Sequence, residues 1–260
     1  MTFNNIKNCV KFSCLVLCFI SNIAGIEILP LKSGGKEYRT PDRAFSVSVN
    51  AGGIVKNIEI DTRPKQGYFQ MIDFNDNGAI DRIYSRKFQK TNDTGVPLGK
   101  NFEFHKSGRL LRKFIASGID GGYGVSEPCD WEYQYDEAGK LIVKKFHKRT
   151  CKYGKGLITF FTPPGEYYVT EGPLRVRKEP NLKAATLTTL KNDERLQVLD
   201  YTTERLEING SYAPWSKVKT PQGEGWVYGA YIEPVDWNKT YTDYFRSVDW
   251  QVFVKKLGLE

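Results

Sequence analysis

The sequence predicts an all-β protein: an N-terminal sheet of antiparallel hairpin repeats, a small barrel of short strands, and a short C-terminal helix. Three observations predict this. Four segments, at 45–54, 72–80, 102–110 and 133–141, share an alternating apolar/polar run, a polar turn, a glycine and a second alternating run. Such alternation marks half-buried strands, whose successive side chains point to opposite faces. Between 167 and 234, five or six short strands follow one another closely, which suits a small closed barrel that pairs its edges. Near the end, Trp250, Phe253, Val254 and Leu257 fall at i, i+3, i+4 and i+7, the apolar stripe of a helix.

Residues 1–25 read as a targeting segment and are excluded from the fold. Lys7 and Lys11 give a positive start, an apolar run follows to Ile20, and Ser21, Ala24 and Gly25 are small. That is the pattern of a secretory signal peptide, with an apolar core too short to span a bilayer well; an N-terminal membrane anchor is the alternative. The sequence around Cys18 has the outline of a lipobox, but Leu17 is bulky where a small residue is expected, which weighs against a lipid anchor. The mature chain is therefore expected outside the cytoplasm, in the periplasm, in the cell envelope or secreted, with no transmembrane span.

Export fixes the reading of cysteine and charge. Cys9, Cys14 and Cys18 leave with the signal, and Cys129 and Cys151 remain. In an oxidising compartment the pair most simply forms one disulfide, worth about 3 kcal/mol by chain entropy; two buried free thiols are the alternative. Removing Lys7 and Lys11 from 38 basic residues leaves 36 against 30 acidic ones, a net charge of +6. The positive charge is dispersed and reads as solvated strand faces, so no nucleic-acid partner is expected. Anionic cell-wall polymers and lipid headgroups are the nearer partners for such a chain.

From 26 to 161 the repeats dominate. Their glycines, Gly53, Gly78, Gly108 and Gly139, lie 25, 30 and 31 residues apart. A hairpin turn of type I geometry ends in a left-handed residue, which glycine adopts without steric cost. Stacked hairpins in one continuous sheet, or an open roll, follow. Tyr135-Asp136-x-x-Gly139-x-Leu141 resembles the tyrosine-aspartate hairpin repeats of bacterial shell and wrapping proteins. The resemblance implies an extended scaffold.

The second repeat also has metal-ligand spacing. Asp73, Asn75, Asn77 and Asp81 surround Gly78, and oxygen ligands at alternate positions before a glycine curl around Ca²⁺ in calcium loops. Position five is Asn77, and Tyr84 stands where an EF-hand supplies a bidentate glutamate. A plain Asn/Asp-rich turn is the other reading, so calcium stands as a candidate cofactor.

Residues 162–166, with Pro163 and Pro164, read as a short stiff linker. The barrel, 167–236, follows. Leu174-Arg175-Val176-Arg177 alternates, Pro180 interrupts, and Leu196-Gln197-Val198-Leu199 begins another strand. Trp215-Ser216-Lys217-Val218 and Gly225-Trp226-Val227-Tyr228 flank the turn at Gln222-Gly223, and Tyr231-Ile232 closes the unit. In this order the segments resemble a bacterial SH3 domain. The resemblance implies recognition of cell-wall peptide or of an envelope protein, with Trp215, Tyr228 and Tyr231 as candidate contacts. Residues 202–213 form an insert, expected as a long loop overhanging that face. In the extension 237–260 a helix is expected over 247–258, capped by Ser247, favoured by Asp249 at its start and stopped by Gly258.

No catalytic constellation emerges: His105 and His147 are the only histidines, and no H-E-x-x-H, G-x-S-x-G or P-loop occurs. The expectation is a non-catalytic exported binding protein, with an envelope scaffold whose barrel has no cell-wall ligand as the alternative.

Overall fold

A computed structural model describes residues 26–62, 67–87, 96–97, 99–119, 126–149, 151 and 156–259. The expected signal segment, 1–25, lies outside the described residues. The first sheet holds β1 (Glu27–Pro30), β2 (Lys36–Arg39), β3 (Phe45–Val49), β4 (Val55–Asp61), β5 (Tyr68–Phe74) and β6 (Ile80–Lys87). It continues through β7 (Val96–Pro97), β8 (Gly99–Phe104), β9 (Leu110–Ile119), β10 (Ser126–Tyr135) and β11 (Leu141–His147). These strands pair antiparallel in chain order, with short β7 beside β6.

One turn builds the hairpins. At Asn50, Asn75, His105 and Asp136, the carbonyl accepts from the glycine N–H three residues on, and the N–H donates to the carbonyl four residues on. The glycines, Gly53, Gly78, Gly108 and Gly139, have φ of 80–82°. In three of the four turns the first side chain caps the bend. Asn50 Oδ1 takes the N–H of Gly52 and Ile54, Asn75 Oδ1 those of Asn77 and Ala79, and Asp136 Oδ1 those of Ala138 and Lys140. A fifth turn of this form joins β1 to β2 through Leu31 and Gly34.

The shared register lines up equivalent positions. Val47, Ile58, Ile72, Ile83 and Phe102 face one another across five strands and are buried. On the opposite face, Asn57, Asp73, Arg82, Glu103 and Arg112 form a second row. Its charges alternate, so each neighbour is an opposite charge or a hydrogen-bond donor, which favours this register over a slipped one.

The second sheet holds β12 (Gly165–Val169), β13 (Leu174–Arg177), β14 (Thr186–Leu190), β15 (Arg195–Ile208), β16 (Ser211–Thr220), β17 (Gly223–Tyr228) and β18 (Ile232–Pro234). Its order is β14-β13-β17-β16-β15-β12-β18, curled as a half-barrel. Val169, Val176, Leu190, Val198, Val218 and Val227 fill its own core. The insert 202–213 is not a loop, as expected, but the extended end of the β15–β16 hairpin. Asn209 and Gly210, at φ 50° and 78°, make the two-residue left-handed turn whose twist matches paired strands.

The two sheets share one hydrophobic core. Residues 156–163 run through it: the carbonyl of Ile158 accepts from Gln70 and Ser85 of the first sheet, and Leu157 and Thr159 bond Tyr212 of the second. The stretch expected as a linker is thus packed at its start, with Thr162 and Pro163 buried and Tyr167 donating to the Pro163 carbonyl.

Two helices complete the core. Helix α1 (Trp237–Ser247), which the sequence reading missed, is capped by Asp236, whose side chain accepts from the Lys239 N–H. Trp237, Tyr241 and Phe245 recur every four residues on its buried face; the aromatic and threonine content, poor in helix propensity, hides the signal. Helix α2 (Trp250–Lys256) is the expected one, but it begins later. Asp249 caps it, accepting from the N–H of Gln251 and Val252. Ser247 ends α1 instead, its hydroxyl donating back to the carbonyls of Asp243 and Tyr244. Val248, in an extended conformation between them, separates the two helices.

Candidate functional site

The candidate site is a pocket of about 390 Å³ on the second sheet. Strand alternation builds its rim. Leu174 and Val176 turn into the barrel core, so Arg175 and Arg177 turn outward. Arg177 donates to the Ala184 carbonyl at 2.8 Å. The Arg175 side chain makes no hydrogen bond or ion pair among the described residues, and no carboxylate lines the pocket.

The three aromatics named from the sequence come together here. Trp215 and Tyr228 are opposed in register on β16 and β17, with ring centroids 6.1 Å apart and edge to face. Tyr228 and Tyr231 continue the contact at 5.2 Å. All three line the pocket. Trp215 and Tyr228 are each 3 % exposed and form its floor, while Tyr231 is half-buried. The Tyr228 hydroxyl lies 2.7 Å and 2.8 Å from the carbonyls of Leu206 and Ser211, to which it donates. Burial pushes its pKa well above the ordinary value. Its polar tip therefore braces the insert hairpin and leaves only the ring for a ligand. The insert contributes Ile208 to the pocket wall, and Asn209 Nδ2 donates to Tyr231 Oη at 3.3 Å. The indole N–H of Trp215 is buried without a partner among the described residues. A buried donor without a partner costs about 1–3 kcal/mol.

The second candidate cluster serves its hairpin. Asp73 takes a 2.6 Å hydrogen bond from Asn57 and a paired contact from Arg82, at 3.0 Å to Nη2. Asn75 performs the same capping as Asn50 and Asp136, and Asn77 Oδ1 accepts from the Ala79 N–H. Both amide nitrogens donate to the Lys106 carbonyl in the next repeat. Asp81 is the extra residue of the bulge between the Asp73–Arg82 and Phe74–Ile80 pairs. Among the described residues no group of three His, Cys, Asp or Glu side chains converges as a metal site.

Cys129 and Cys151 are joined, with Cα atoms 5.5 Å apart. Sequence reasoning missed Glu233. It is fully buried and accepts from Lys113 Nζ and Tyr168 Oη, each at 3.0 Å, with Lys100 at 3.8 Å. These contacts tie β8 and β9 to β12 and β18. Nothing in the local pattern around Glu233 marks a partner more than a hundred residues away.

Residues 172–233 match the family model described as the bacterial SH3 domain. The match runs from the start of β13 almost to the end of β18, about a quarter of the chain. No curated protein matched the chain. The C-terminal strands therefore form a bacterial SH3 domain, a binding module rather than a catalytic one.

Proposed function

We propose that this chain is an exported, non-catalytic binding protein whose SH3 domain recognises cell-wall peptide or an envelope protein partner. The pocket carries this reading: Trp215 and Tyr228 form an aromatic floor, half-buried Tyr231 a wall, and Arg175 and Arg177 the rim, with no acidic residue among the described lining. Aromatic rings give large contact area at low entropy cost, and guanidinium groups bind carboxylates with two parallel hydrogen bonds. A short peptide with an apolar side chain and a free carboxylate fits both, and cell-wall peptides have that chemistry. Export is supported by the pattern of residues 1–25 and by the Cys129–Cys151 disulfide, which persists in oxidising compartments.

The test is co-sedimentation of the full chain with purified cell wall. Arg175→Glu should weaken binding about tenfold or more while the melting temperature stays near wild type, and Tyr231→Ala should weaken it as much while also lowering the melting temperature, because Tyr231 packs against both cores. Wild-type chain that stays in the supernatant would remove the cell-wall reading and leave the protein partner. A scaffold role is the second reading. It is favoured by the burial of Trp215 and Tyr228 in the core shared with the hairpin sheet.

A further inference from the structure

We propose that the terminal ribbon β10–β11 of the hairpin sheet is a docking surface for an anionic lipid bilayer. The inference is independent of the SH3 pocket. The buried row Val47, Ile58, Ile72, Ile83, Phe102 continues in register to Lys113, Tyr133 and Lys144. Lys113 still reaches Glu233 of the second sheet. Beyond it the face emerges from its cover, and β11 is an edge strand, paired only to β10.

This overhang is apolar and basic together. Ile142 is 58 % exposed, Phe146 52 %, Leu141 44 % and Trp131 39 %. Four of the ten large exposed hydrophobics among the described residues thus fall in one hairpin, and such clustering marks a contact surface where single exposures do not. Trp131 and Phe146 are cross-strand partners with ring centroids 5.2 Å apart, and Lys144 Nζ lies 4.6 Å from the Trp131 ring. The ribbon's bases are Lys140, Lys144, Lys145, Lys148 and Arg149, while its acids are engaged elsewhere: Glu132 pairs on the other face, Asp136 caps its own turn, Glu137 accepts from Ser107 and Asp130 has a partner of its own. The ribbon is also fixed in place. The disulfide closes its open end, and on its other face buried Glu132 accepts from Arg112 at 2.6 Å and lies 2.7 Å from His147.

The charge selects the occupant. Lysines alone would guard an edge strand against pairing, but they do not account for exposed Ile142 and Phe146. A polyanion would use the lysines and leave the apolar side chains in water. A second copy paired through β11 would bring its lysines against one another. The headgroup zone of an anionic bilayer satisfies both parts: aromatic and aliphatic groups enter the interface, and lysine stems reach up to the phosphates.

The experiment is tryptophan quenching of residues 26–260 by vesicles of brominated phosphatidylcholine with phosphatidylglycerol. Residues 1–25 are left out because their apolar run, 12–20, would itself carry the chain to any vesicle. Wild type should be quenched, and Trp131→Phe should lose the quenching. Phe146→Ser should raise the half-saturating lipid concentration about tenfold, and Lys144→Gln about fivefold on anionic vesicles only. No quenching of wild type, undiminished quenching of Trp131→Phe, or equal binding to pure phosphatidylcholine vesicles would overturn the proposal. So would capture by polyglutamate that Phe146→Ser leaves unchanged, or a wild-type dimer in sedimentation that Phe146→Ser dissolves.

Discussion

Three repeat glycines share one backbone conformation but differ in what surrounds them, so their substitution separates local from tertiary cost. A Cβ on Gly139 would meet nothing within 4 Å; on Gly78 it would lie 3.0 Å from Ile54, and on Gly108 2.8 Å from Asn238 Cβ. Gly139→Ala should therefore cost only the left-handed backbone penalty, about 1–2 kcal/mol. Gly78→Ala should cost slightly more. Gly108→Ala should cost most, because Asn238 of α1, which accepts from the Ile80 N–H at 3.2 Å, must shift. Urea melts of the three variants check the order, and equal losses would show that α1 does not depend on the turn. A second prediction concerns Asn75. If its side chain is a turn cap, Asn75→Asp should keep the stability and Asn75→Ala should lose about 1 kcal/mol, with or without Ca²⁺. A calcium-dependent loss would support the metal reading.

At the scale of elements, the insert hairpin joins the two sheets. Tyr212 stacks on Tyr68 with ring centroids 4.1 Å apart, and Glu207 accepts from the Tyr68 hydroxyl at 2.6 Å and from Lys87 at 3.1 Å. Arg205 donates to the carbonyls of Phe160 and Leu257, at 2.9 Å and 2.8 Å. An extension of a small barrel thereby acquires partners from the first sheet, from the crossing segment and from the C-terminus. Tyr212→Ala should cost about 3–5 kcal/mol, as removal of a large buried aromatic does. Glu207→Gln should cost far less, because its ion pair is exposed. Thermal melts of the two variants test the ratio, and comparable losses would mean that charge rather than stacking holds the hairpin.

For the whole molecule, buried carboxylates make stability depend on pH. Burial opposes ionisation of Glu132, yet hydrogen bonds from Gln134, Arg112 and His147 outweigh it and hold the carboxyl at about 2. Burial likewise opposes the charge on Glu233, and Lys113 and Lys100 hold it below the usual range. Both folded values lie below the ordinary carboxylate value of 4.5. The stabilisation is therefore complete above about pH 5 and is lost as pH falls through the folded values. Unfolding free energy from urea melts should fall between pH 5 and 3, and Glu132→Gln should flatten that fall. The shared core makes a further prediction. Residues 165–236 expressed alone would expose Tyr201, Tyr212, Trp215 and Tyr228, so the fragment should melt well below the full chain and bind a hydrophobic dye. A fragment as stable as the whole would show that the inner barrel core suffices.

What the sequence determined was local. Strand alternation, the left-handed glycine of each turn, the pairing of Cys129 with Cys151 and the order of SH3-like strands all depend on residues near one another. Each was legible because secondary structure has a short period. Trp215, Tyr228 and Tyr231 were named from the chain, but which of them form floor and which form wall was not. That depended on the insert, whose polar sequence reads as a loop until Tyr68 and Phe160 give its Tyr212 a surface to lie on. Glu233 shows the same limit: a carboxylate in a barrel strand looks solvated until Lys113, 120 residues away, removes its need for water. Long-range packing changes the solvent a residue sees, and that decided how the two halves of this protein join.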